Sequence, residues 1–178
     1  MKDISYLPRA DYKTYIIGEE VALIHKQSIP EKLLVFSTDY DRAEEHIDGI
    51  WGVSKAKKDF FHHRGGPNQQ IFDLLTQKVY VIPYAEVREA TNPHEVLGRL
   101  LQVIRIAHKK NVPLLFVTGA KQERDLLNEK QLRAFWMAMG VQDKILAKNN
   151  IVFDTLLQQA AVRYSEEYVA EGIRRIIR

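Results

Sequence analysis

A chain of 178 residues with 46% hydrophobic and 28% charged side chains has the balance of one globular domain, residues 1–178, long enough to bury a core. It contains no cysteine, which excludes disulfides, zinc–thiolate sites and a thiol nucleophile and fits a cytoplasmic, reducing setting. The net charge of +3 with a pI near 9.0 permits nucleic-acid binding, while no apolar run approaches the roughly 18 residues of a membrane span, and MKDISYLPRADYK lacks a signal-peptide core.

In chain order, TYIIG (14–18) and VALIHKQ (21–27) are short apolar runs that predict strands. KLLVFST (32–38) is a longer one, continuous enough for a strand buried on both faces. Thr38 and Asp41 make a T-x-x-D helix-start signal after it. IDGIWGVS (47–54) predicts the next strand, KAKKDFFHHRGGPN (55–68) a basic loop, QQIFDLLTQ a short helix, and KVYVIPYAEV (78–87) a strand. The best helix is NPHEVLGRLLQVIRIAHKK: Asn92 caps it, Pro93 fits its first position, and Glu95 completes a capping box. Val96, Leu97, Leu100, Leu101, Ile104 and Ala107 recur at helical spacing. VPLLFVTGA then predicts a strand, and Asn128 with Gln131 caps a last clear helix, LRAFWMAM, that Gly140 can close. Residues 164–178 predict a C-terminal amphipathic helix with a basic tip.

Strands alternating with helices imply βαβ units and a parallel sheet, leaving a barrel and an open doubly wound sheet both open. A complete (β/α)8 barrel takes about 250 residues, so a barrel here would be compact or incomplete. In either fold, sites gather beyond the C-terminal strand ends. Those ends carry Ser37, Thr38 and Asp39; then Lys55, Lys57, Lys58, His62, His63 and Arg64; then Glu86, Arg88 and Glu89; then Thr118, Gly119, Ala120, Lys121 and Arg124. One rim is therefore expected to be basic and suited to a phosphate backbone, against the plainer reading of solvated charged loops. Phe60 and Phe61, among those cations, are stacking candidates; Trp136, on an apolar helix face, reads as core.

Catalytic chemistry has little to stand on. The six histidines, His25, His46, His62, His63, His94 and His108, form no H-x-H or H-E-x-x-H spacing, so no metal site is expected. No G-x-S-x-G elbow occurs, and TGAK lacks the glycines of a P-loop. Thr118–Lys121 could still bind phosphate through backbone N–H groups, with Gly119 permitting close approach. A small α/β enzyme acting on a phosphorylated metabolite at that turn is thus the rival reading, and a purely structural subunit a third.

The run NVPLLFVTGAKQERDLLNEKQLRAFWMAMGV resembles the archaeal ribonuclease P protein component 3 family, relatives of the human thirty-kilodalton subunit. That family shows a strand ending S-[SG]-A, a charged loop with R-x-P, then Leu and a helix closing in G-M. The counterparts here are Thr118-Gly119-Ala120, the loop Lys121 to Leu126, Leu132, and Gly140-Val141, with no gap between Ala120 and Gly140. IDGIWGVSKAKKD resembles the family's V-D-x-I-x-x-P strand and basic loop, and the likeness runs over residues 32–148. Two departures stand out. The family's arginine after the loop aspartate is replaced by Leu127, leaving Lys121 or Arg124 as substitutes. The N-terminal third is short, making this a divergent, shortened member.

The resemblance implies an α/β fold, a compact or incomplete TIM-like barrel of the metal-free, polymerase-and-histidinol-phosphatase-related type. It implies a non-catalytic RNA-binding subunit of ribonuclease P, with no catalytic or metal residues and no cofactor of its own. Magnesium would sit on the RNA subunit, which removes the 5′ leader of precursor tRNA. The expected partners are the ribonuclease P RNA, another small protein subunit in a heterodimer or heterotetramer, and precursor tRNA indirectly; no membrane is involved. The expected RNA contacts are Lys55, Lys57, Lys58, Arg64, Arg88, Lys121 and Arg124.

Overall fold

The computed structural model describes residues 2–5, 13–17, 22–26, 29–37, 48–52, 72–73, 75, 78–163, 168–170 and 173–174. Seven strands lie side by side in chain order: β1 (Lys2–Ser5), β2 (Lys13–Ile17), β3 (Ala22–Lys26), β4 (Ile29–Ser37), β5 (Gly49–Trp51), β6 (Val79–Pro83) and β7 (Leu114–Val117). From β4 to β7 every pairing is parallel, as the alternation of strands and helices leads one to expect. The N-terminal part departs from that expectation. β1 pairs parallel with β2, but β2–β3 and β3–β4 are antiparallel. The connections explain it: Ile17 to Ala22 and Lys26 to Ile29 are too short for the crossover that parallel neighbours require. The hydrogen-bonded sheet is open. Its edge strands β1 and β7 come within 8 Å, Cα to Cα, without pairing.

In β5, β6 and β7 both faces are buried, which accounts for their continuous apolar sequences. Alternate residues enter two separate cores. Ile50, Tyr80, Ile82, Leu114 and Phe116 join one; Trp51, Val79, Val81, Leu115 and Val117, with Phe36 of β4, join the other. The first core is covered by α2 (Pro93–Lys110), through Leu100, Val103, Ile104 and Ala107, and by α3 (Glu129–Ala138), through Leu132 and Trp136. On the opposite face lies α5 (Asn149–Arg163), whose Phe153 and Leu156 close the second core. Truncating Leu100 or Phe153, both with no exposed surface, would cost about 2–5 kcal/mol.

The helix signals are realised nearly as read. Asn92 Oδ1 accepts the Glu95 N–H at 3.4 Å, while the Glu95 carboxylate turns instead to Arg99 one turn on, so only half of the expected capping box forms. Asn111 ends α2 in the left-handed conformation. The box at α3 is complete: Asn128 accepts the Gln131 N–H, and Gln131 accepts the Asn128 N–H, each at 2.9 Å. Gly140 follows with φ 87°. A short α4 (Asp143–Leu146) leads to α5.

Two expectations are corrected. The strand over 78–87 ends at Pro83, and α1 (Tyr84–Glu89) begins at once. Proline has no N–H for the ladder, and the Ala85 N–H leaves the strand pattern to reach the Thr118 carbonyl at 2.9 Å. The described residues of the C-terminal segment are strands, not a helix: β8 (Tyr168–Ala170) and β9 (Ile173–Arg174) pair antiparallel. Aromatic and β-branched residues such as Tyr168, Val169 and Ile173 suit a pleated surface. The Thr38–Asp41 helix signal lies outside the described residues; of the short helix at 69–77, Phe72 and Asp73 are described and helical.

Candidate nucleic-acid interface

The C-terminal ends of β5, β6 and β7 form one rim, and each strand leaves it differently. β5 stops at Gly52, in the left-handed region at φ 62°. The Gly52 N–H donates to the Val81 carbonyl at 3.0 Å, and its own carbonyl accepts the buried Tyr80 hydroxyl at 2.8 Å. Glu86 lies directly over it: a Cβ on Gly52 would come within 1.8 Å of Glu86 Oε1. β6 runs into α1, which raises Arg88 and Glu89 above the sheet. β7 gives way to Thr118-Gly119-Ala120, all buried, and then to the charged loop with a 3₁₀ turn at Glu123–Asp125.

Gly119 has φ 58°, and its missing side chain faces inward. An added Cβ would sit 2.9 Å from Pro83 Cβ and 3.3 Å from Trp51 Cζ2. The glycine is therefore required by packing against the neighbouring strand end. The expectation that it opens the turn to a ligand is corrected on that ground.

Two ion pairs fasten the loop to α1. Arg88 Nε lies 2.9 Å from Asp125 Oδ1, and Arg88 also donates an η-nitrogen to the Arg124 carbonyl at 2.8 Å. Asp125 is only 1% exposed; a carboxylate that deep needs a compensating charge, and Arg88 supplies it. Lys121 Nζ pairs with Glu89 Oε2 at 2.7 Å. Both of those groups face water, and such pairs are worth about 0–1 kcal/mol. The Arg124 side chain is exposed, and among the described residues no carboxylate pairs with it.

The rim is thus less uniformly basic than its sequence suggests. Three of the seven expected RNA contacts, Arg88, Lys121 and Arg124, are brought together within one loop-and-helix unit. Arg88 holds the loop, Lys121 is tethered to an acid, and Arg124 projects. The other four, Lys55, Lys57, Lys58 and Arg64, with Phe60 and Phe61, lie outside the described residues. Leu127, standing where the resemblance calls for arginine, packs against the core. Trp136 is fully buried, as its helix face indicates. Among the described residues no group of three or more histidine or acidic side chains is placed to hold a metal ion, and no helix is long and apolar enough to cross a membrane.

Sequence reasoning missed Asn149. Its side chain accepts the Phe116 N–H at 2.6 Å and donates to the Phe116 carbonyl at 2.9 Å, imitating a further strand on the outer edge of β7 and covering its exposed backbone groups. The partners are 33 residues apart, so no local pattern announces the contact.

No family model matches the chain, and no curated protein matches it in sequence. Among solved structures it is similar to a chain in the cryo-EM structure of archaeal ribonuclease P with mature tRNA. The TM-score is 0.69 at 14% sequence identity, over 99% of this chain and 88% of that one. At that identity the likeness is one of fold.

Proposed function

We propose that this chain is a non-catalytic, RNA-binding protein subunit of ribonuclease P that supports RNA-catalysed removal of the 5′ leader from precursor tRNA. The observation that carries the reading is the shared fold over nearly the whole of both chains. The sequence resemblance to component 3 adds the choice of subunit, which the fold alone does not name. The sheet is then an incomplete barrel. Strands β4 to β7 follow one another in chain order with parallel pairing, β1 approaches β7, and α5 supplies core side chains on the face that a complete barrel fills from its strands alone.

The contribution of the protein is electrostatic. Arg124, Lys121 once released from Glu89, and the lysines of 55–58 neutralise phosphates and lower the self-repulsion of a folded RNA. Magnesium belongs to the RNA subunit, and another small protein subunit completes the assembly. The metabolite-enzyme reading loses its footing, because Thr118, Gly119 and Ala120 are buried.

Purification of the tagged chain from its native cells tests the proposal: a ribonuclease P RNA is expected to accompany it, and a preparation containing other proteins but no such RNA refutes it. In a reconstituted enzyme, Lys121→Ala with Arg124→Ala is expected to weaken stimulation at low magnesium, with partial recovery as magnesium rises.

A further inference from the structure

We propose that the outer face of α2 is a second RNA-contacting surface, one that binds the phosphate backbone of duplex RNA independently of sequence. The proposal takes its ligand class from the reading above and extends it to a face that lies outside the strand-end rim and carries none of the expected RNA contacts.

Successive helical residues are about 100° apart. His94, Gly98, Gln102, Arg105, His108 and Lys109 therefore fall within an arc of about 120°, opposite the buried Leu100, Val103, Ile104 and Ala107. All six are exposed. The one apolar residue inside the arc is Leu101, which is partly buried against the core. The arc contains no carboxylate. Glu95, the helix's sole acid, lies beside it and is engaged by Arg99. Lys110, off the arc, is taken by Asp73 at 2.6 Å. Among the described residues, no acid pairs with Arg105 or Lys109.

Gly98 is the second observation. It stands inside a helix, where glycine is the poorest choice after proline. A Cβ there would meet nothing within 4 Å, so neither packing nor backbone geometry explains it. A missing side chain at the centre of a cationic and amide-bearing arc lets a sugar–phosphate backbone approach the helix closely. From His94 to Lys109 the helix rises about 22 Å, enough to follow several nucleotides. The surface is also continuous with the rim, since only residues 90–92 separate α1, which carries Arg88, from the start of α2. An RNA lying on the rim can continue down the outside of the domain.

The test uses the full chain and a generic A-form RNA duplex in filter binding across a salt series, with thermal melting to confirm folding. Replacing two phosphate-contacting cations, Arg105→Ala with Lys109→Ala, is expected to flatten the log–log salt slope by about 2 units. Gly98→Leu is expected to weaken duplex binding several-fold, while Gly98→Ala raises the melting temperature. An unchanged slope and unchanged affinity in these variants overturn the proposal. So does retained RNA binding accompanied by loss of a protein from the native complex, which would make this face a protein contact. The rim variant, Lys121→Ala with Arg124→Ala, runs in parallel. If the unmodified chain binds no RNA at all, the ribonuclease P reading fails and this inference with it. If only the rim variant weakens binding, this inference alone fails.

Discussion

Arg88 looks like an RNA contact in the sequence, but the structure gives it another task, and its removal separates the two. Arg88→Ala strips the compensating charge from Asp125, which is 1% exposed, along with the 2.8 Å bond to the Arg124 carbonyl. Breaking a fully buried pair by deleting one partner costs about 3–5 kcal/mol. The Arg88 side chain is 37% exposed, so water can enter beside Asp125 and the expected loss is smaller, about 2–3 kcal/mol. For a domain of this size that lowers the melting temperature by roughly 4–12 °C. Urea denaturation should show a lower midpoint with an unchanged m-value. Pairing the change with Asp125→Leu, which removes the stranded charge, should recover most of the loss, a coupling that a double-mutant cycle reads directly. A loss of less than about 0.5 kcal/mol, the range of ordinary surface substitutions, would show that Asp125 does not depend on Arg88. The loop would then need another account. RNA affinity measured on the same variant completes the separation: a stability loss with little change in salt slope marks a positioning residue, not a phosphate contact.

Gly119→Ala combines a left-handed φ with a 2.9 Å approach to Pro83 Cβ and should destabilise by at least about 1–2 kcal/mol; a neutral result by thermal melting would mean that the strand end has room to shift. Leu127→Arg puts a cation where the resembling family has one, but it withdraws a partly buried side chain from the core. Urea melts should show a loss of about 1–2 kcal/mol, moderated because arginine can extend its head to water, with no gain in RNA stimulation. The hydrogen bond from Arg133 holds the Asp143 carboxyl below its ordinary range. A carboxyl lowered in the folded state stabilises above its unfolded pKa and loses that contribution as the pH falls through the folded value. Stability measured down through that acid range should therefore drop less steeply in Arg133→Ala, and salt should shrink the difference, because both side chains of the pair reach solvent. Identical acid profiles would sink this assignment.

The residues that announced themselves did so through local physics. Asn92, Pro93, Asn128, Gln131 and Gly140 mark helix ends because capping partners lie within a turn of each other. The apolar runs at 32–38, 78–87 and 112–120 mark strands, and the α2 stripe marks which side of that helix is core. Local chemistry also placed a charged loop beyond β7. What the loop does with its charges lay beyond sequence, because the partners are remote. Glu89 meets Lys121 across 32 residues, Arg88 meets Asp125 only once α1 and the 3₁₀ turn are packed together, and Asn149 reaches Phe116 across 33. Charge counts along a loop cannot tell a cation that faces solvent from one spent on a buried acid. The antiparallel directions of β2, β3 and β4 were decided by connection length, and the C-terminal pairing of Tyr168 with Arg174 by the choice between helical and pleated use of the same apolar residues. That choice is settled by what each residue packs against in three dimensions, since period and propensity bias it only weakly.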